Sequence, residues 1–142
     1  MTKLILSSVV GMALAMGASG CGRGADRLER ASQQISWKVA DAMEDLDATP
    51  QQTERAQALA QGLVADAKPV VKQGLEAREA LVDEWKSARP DAAKVHALVD
   101  AQVDAVRGLV HRAADAAIEL HGLLTPAQRD EVTQRLERHA KR

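Results

Sequence analysis

The chain has no Phe and no Tyr, and its only aromatic residues are Trp37 and Trp85. Aromatic side chains normally supply much of the area that a compact core buries. A core made instead from Ala, Val and Leu suits slim helices lying close along their length. One cysteine, Cys21, excludes any intramolecular disulfide. Charge of one sign is missing too: 19 Lys and Arg against 20 Asp and Glu leave a net charge of -1. With no basic patch and no aromatic platform, no nucleic-acid partner is indicated. There is no Gly-rich phosphate loop and no serine in a nucleophile elbow. The carboxylates alternate with Lys and Arg along helical stretches, as solvated faces do. No catalytic constellation and no cofactor site emerge.

What is present starts at the N-terminus. Lys3 is followed by an uncharged run from Leu4 to Met16, then by Gly17-Ala18-Ser19-Gly20 and Cys21. A basic start, an apolar stretch and a small-residue cleavage region make a secretory signal over residues 1–20. The run is shorter than the ~20 apolar residues that span a bilayer. Cys21 after Ala18-Ser19-Gly20 resembles a bacterial lipobox, with Ala18 where Leu is usual. Lipidation of Cys21 would anchor the chain to a membrane, since each buried CH₂ contributes about 0.8 kcal/mol. Ordinary cleavage after the small residues, giving a soluble periplasmic protein, is the alternative. Residues 21–25 would then form a short tether, and 26–142 a single domain.

Helix punctuation organises that domain as an all-α, four-helix arrangement. Asp26 with Glu29 has the capping-box pattern and opens a first helix. Its stripe is Leu28, Ala31, Ile35, Val39, Ala42 and Leu46, at the 3–4 spacing of an amphipathic helix. Thr49-Pro50-Gln51-Gln52 starts the second helix, with Thr49 as N-cap, Pro50 at the first helical position and Gln52 completing the box. Its main stripe is Leu59, Leu63, Ala67, Val70, Gly74, Leu81 and Trp85, which places Trp85 in the core. Pro69 should bend this helix rather than break it. Asp91 caps a third helix with Val95, Val99, Val106, Val110, Ala113, Ala117 and Leu120 as its packing stripe. Thr125-Pro126-Ala127-Gln128 then repeats the earlier start and opens a last helix bearing Val132 and Leu136. Thr-Pro-x-Gln thus occurs twice, each time after one helix and before the next, which suggests two related halves.

Leu124-Thr125-Pro126-Ala127-Gln128-Arg129 resembles the LTxxQ motif of the Spy/CpxP family of bacterial envelope proteins. Thr49-Pro50-Gln51-Gln52 is similar to a first copy, with Ala48 where the family has Leu. The resemblance implies a bent helical hairpin forming a cradle-shaped homodimer in the periplasm. It also implies one of two roles. The first is an ATP-independent chaperone or envelope-stress control protein that binds unfolded or partner envelope proteins. The second is a heavy-metal-binding sensor or resistance protein. A purely structural envelope lipoprotein is a third reading.

Two surfaces suit protein binding. In the first helix Trp37 lies nearly opposite the Leu28/Ile35/Leu46 stripe and should be exposed. In the second, Val64, Val71, Leu75 and Val82 form an additional stripe, wide enough to need a second neighbour or a partner chain. For metal, His111 with Asp115 and His96 with Asp100 have the spacing at which one helical turn offers two ligands. Asp104 lies near the first pair, His121 near the core edge, and His139 in the tail. A charged outer face explains these residues as well, and no metal ligand is assigned.

Overall fold

The computed structural model describes residues 23–141, with side chains from Gln34 onward. The export signal, Cys21 and the side chains of Leu28 and Ala31 lie outside the described residues. Four helices follow one another: α1 (Arg23–Glu44), α2 (Pro50–Lys86), α3 (Ala92–Leu123) and α4 (Pro126–Ala140). The described residues contain no strand. α2 packs against both α1 and α3. It is the central rod of two successive antiparallel hairpins.

The helix starts follow the punctuation. Thr49, Asp91 and Thr125 are the N-caps of α2, α3 and α4. Asp91 accepts from the amides of Ala93 and Lys94. The first helix departs from expectation: it runs from Arg23, so Asp26 and Glu29 stand within it and not at its start. A capping box marks a favourable start, but Arg23-Gly24-Ala25 contains no proline that would forbid helical backbone upstream. α1 ends in a Schellman turn. The Ala48 amide bonds the Met43 carbonyl at 3.0 Å, and the Asp47 amide bonds that of Glu44 at 2.9 Å. Asp47 takes the left-handed position, with φ of 49°. α2 continues through Pro69 as one helix.

The fully buried cluster is small. Met43, Leu46, Ala56 and Leu124 form it, with Val39, Ala48, Leu120 and Val132 packed around them. It sits where the end of α1, the start of α2, the end of α3 and the start of α4 meet. Away from it, α2 and α3 share a thin seam. Val70 and Ala77 are its buried residues on α2. On one edge of that seam Arg55 pairs with Glu119, Asp66 with Arg112, and Glu84 with Lys94. These pairs fix the antiparallel register along the length of the hairpin.

Two expectations about packing are corrected. Trp85 is 86% exposed. It lies about 20° round the helix from Gly74, which meets Gln102 of α3, but at the last turn of α2, where only the exposed first turn of α3 lies beyond the Ser87–Pro90 connection. The packing stripe of α3 also differs from the expected one. Val99, Val106 and Val110 are exposed, whereas Leu98, Gln102, Ala105 and Leu109 are half-buried. Two apolar rows run side by side on α3, about 100° apart. The row that faces α2 is the one whose neighbours Ala101, Arg112 and Glu119 reach it.

Candidate functional site: a twin-motif junction and the surfaces around it

Each Thr-Pro-x-Gln segment first closes a local ring. The Thr49 amide donates to Gln52 Oε1 at 2.8 Å, and the Gln52 amide donates back to Thr49 Oγ1 at 3.3 Å. The second copy repeats this, with 2.9 Å from the Thr125 amide to Gln128 Oε1 and 3.4 Å for the return bond. Both are complete capping boxes with proline at the first helical position. Glutamate would serve equally well in such a box.

The glutamine amide nitrogens show why glutamine is used. Gln52 Nε2 donates to the Leu123 carbonyl at 2.6 Å and to Gln128 Oε1 at 3.1 Å. Gln128 Nε2 donates to the carbonyls of Leu46, at 3.1 Å, and Asp47, at 3.5 Å. Each motif therefore starts its own helix and satisfies carbonyls left over at the end of the helix that precedes the other motif. A carboxylate has no proton for that second task. Leu124 is 5% exposed and anchors the second copy in the buried cluster. Ala48, at the matching place, is half-buried against the same cluster. Arg129 Nε donates to the Leu124 carbonyl at 3.0 Å.

Sequence reasoning did not find a further clasp. Arg135 of α4 bonds the Asp45 carboxylate at 3.3 Å and the Asp45 carbonyl at 3.2 Å, and pairs with Glu131 within its own helix. The Arg135 bond is the largest of the influences that hold the Glu131 carboxyl below its ordinary value. Only the Glu131–Arg135 spacing of four was visible in the sequence.

The expected binding residues divide into two groups. Trp37 is 56% exposed, with the Lys38 ammonium 5.8 Å from its ring centroid. Val82 is exposed as well. Val64, Val71 and Leu75 are half-buried. Val64 and Val71 extend the edge of α2 begun by Gln57 and Gln61. That edge meets α1: Gln57 bonds the Ser36 carbonyl at 2.9 Å and Gln61 bonds Ser36 Oγ at 2.7 Å.

The larger exposed apolar surface is on α3. Val99, Val103, Val106 and Val110 are 46%, 49%, 37% and 50% exposed, and Ile118 is 70% exposed. The i, i+4, i+7, i+11 spacing of the valines is legible in the sequence, but the periodicity places three of the four, Val99, Val106 and Val110, in the packing stripe. The histidines His96, His111 and His121 are exposed and His139 is half-buried. Among the described residues no group of three or more His, Cys, Asp or Glu could hold a metal ion. No described helix is long and apolar enough to cross a membrane.

The fold and the junction define an all-α protein built on two interlocked copies of one capping motif. The family model of the LTXXQ motif family matches residues 34–136, and the chain belongs to that family, which is the Spy/CpxP type and is periplasmic in general. Neither the curated proteins nor the solved structures gave a match.

Proposed function

We propose that this protein binds non-native or partner proteins of the bacterial envelope on its exposed helical surface, without ATP, as a chaperone or stress-control protein. The observation that carries this reading is the valine row of α3. Four valines open to solvent on one helix of a thin, two-hairpin layer form a contiguous apolar strip that the described residues leave uncovered. Trp37, Val82 and Trp85 add exposed apolar area elsewhere. Val64, Val71 and Leu75 contribute where α1 leaves them open. The charge balance and the absence of a catalytic constellation accord with a binding protein. In this reading a homodimer is the working form, the periplasm its compartment, and lipidated Cys21 its tether.

The test is aggregation of a chemically denatured client, followed by light scattering with and without the purified protein and with no ATP. Suppression near stoichiometric ratios is expected. Val103→Asp together with Val110→Asp should abolish it while helicity by circular dichroism stays the same. Full suppression by that variant would overturn the assignment to α3. No suppression by the native protein would overturn the chaperone reading and leave a dedicated partner.

A further inference from the structure

The two motif copies differ at the residue before the threonine. At the second copy Leu124 fills its place in the cluster. At the first copy Ala48 supplies only a methyl group, and a shallow groove of about 600 Å³ opens beside it, between α1 and α2. Ala40, Ala48 and Pro50 give it an apolar floor, and Glu44, Asp47 and Glu54 line it as well. No Lys or Arg lines it. The three carboxylates are exposed, and none has an ion pair or side-chain hydrogen bond among the described residues. Elsewhere on α2 and α3, by contrast, Asp66, Glu84 and Glu119 are all paired.

We infer that this groove is a docking site for a basic, small-residue segment of a partner protein, with Lys or Arg spaced among Ala or Val. Its carboxylates are not gathered closely enough to hold one metal ion. They suit several separate cations carried on a chain. Trp37 extends the site along α1, because Trp37, Ala40 and Glu44 share a face at i, i+3 and i+7. Its ring already takes the Lys38 ammonium at 5.8 Å over one face, and the side chain is 56% exposed. Complementary charge of this kind sets partner choice and association rate more than raw affinity. The groove is lined by α1, α2 and their connection, whereas the valine row lies on α3. The two surfaces therefore act independently.

The probe is a short fluorescein-labelled peptide of lysines spaced among alanine and valine, titrated with the full chain at low salt and read by anisotropy. Counterparts with glutamate or serine in place of lysine serve as controls. Binding of the lysine peptide alone is expected, weakening as salt rises. The triple variant Glu44→Gln, Asp47→Asn, Glu54→Gln should bind about tenfold more weakly. Ala48→Leu, which fills the inner end of the groove, should weaken binding comparably without lowering thermal stability. In a Trp85→Phe background the lysine peptide should perturb Trp37 emission. Equal binding of the serine peptide, or unchanged binding by the triple variant, would overturn the inference. So would competition by self-association: if Arg138→Gln with Lys141→Gln abolishes an oligomer and frees the groove, its occupant is a second copy. Val103→Asp with Val110→Asp should leave peptide binding intact, which separates failure here from failure of the chaperone reading.

Discussion

Gln52 and Gln128, 76 positions apart, share a hydrogen bond of 3.1 Å from Gln52 Nε2 to Gln128 Oε1. The bond joins the two motif copies directly. Replacing Gln128 by Glu keeps the acceptor that the Thr125 amide uses but removes the donor to the Leu46 and Asp47 carbonyls. That change should lower stability by about 1–3 kcal/mol, the usual range for leaving a partly buried group unsatisfied. Gln52→Ala and Gln128→Ala should be non-additive by at least about 0.5 kcal/mol in a double-mutant cycle from urea melts. Strict additivity would mean the cross-bond contributes nothing.

Leu124 and Thr125 should rank very differently despite being neighbours in one motif. Leu124→Ala removes a large side chain from a cluster with few members and should cost about 2–5 kcal/mol. Thr125→Ala removes a cap and should cost about 1 kcal/mol. Thermal melts of the two variants check the order. A Thr125→Ala variant that keeps its melting temperature but loses client suppression would assign the motif a direct contact role.

Asp47 occupies a left-handed position, φ 49°, that favours glycine. Asp47→Gly should raise stability by about 0.5–1 kcal/mol, since the Schellman turn would keep its bonds and lose the strain. A lower urea midpoint would show that the Asp47 side chain contributes to the turn.

Gln102 projects into the α2–α3 seam over Gly74, and its Oε1 is buried without a hydrogen-bond partner among the described residues. Gln102→Leu should therefore stabilise the hairpin, by about 1 kcal/mol, by removing an unsatisfied acceptor. Hydrogen exchange along α2 and α3 should slow in that variant.

The closed end of the same hairpin should respond to acid. The Glu84 carboxyl is held below the ordinary value of 4.5, first by its bond to Lys94 and then by the Asp91 amide. A lowered folded pKa gives stability that is full above the unfolded value and is lost as pH falls through the folded one. Lys94 is raised above 10.5 by the same partner, so its contribution holds until pH climbs through that raised value. Amide protection near Ser87–Asp91, relative to the intrinsic exchange rate at each pH, should be flat between these limits and fall on the acid side below about 4.5. In Lys94→Ala the Glu84 step should move back toward the ordinary carboxylate range.

The sequence was sufficient for local starts and stops. Thr49, Pro50, Gln52, Asp91, Thr125, Pro126 and Gln128 act through residues no more than three positions away, so their roles can be read along the chain. The exposure of Trp37 followed from spacing alone for the same reason. Tertiary structure decided everything that depends on which face meets a neighbour. α3 carries two apolar rows of similar strength, and periodicity cannot say which of them meets α2; the valine row is the one left in water. Trp85 has the spacing of a core residue, but its side of the helix overruns the end of its neighbour. The second bond of each glutamine joins positions more than 70 residues apart in the chain. No local rule places a carbonyl from one helix end beside the start of another; packing around Leu124 and Met43 does.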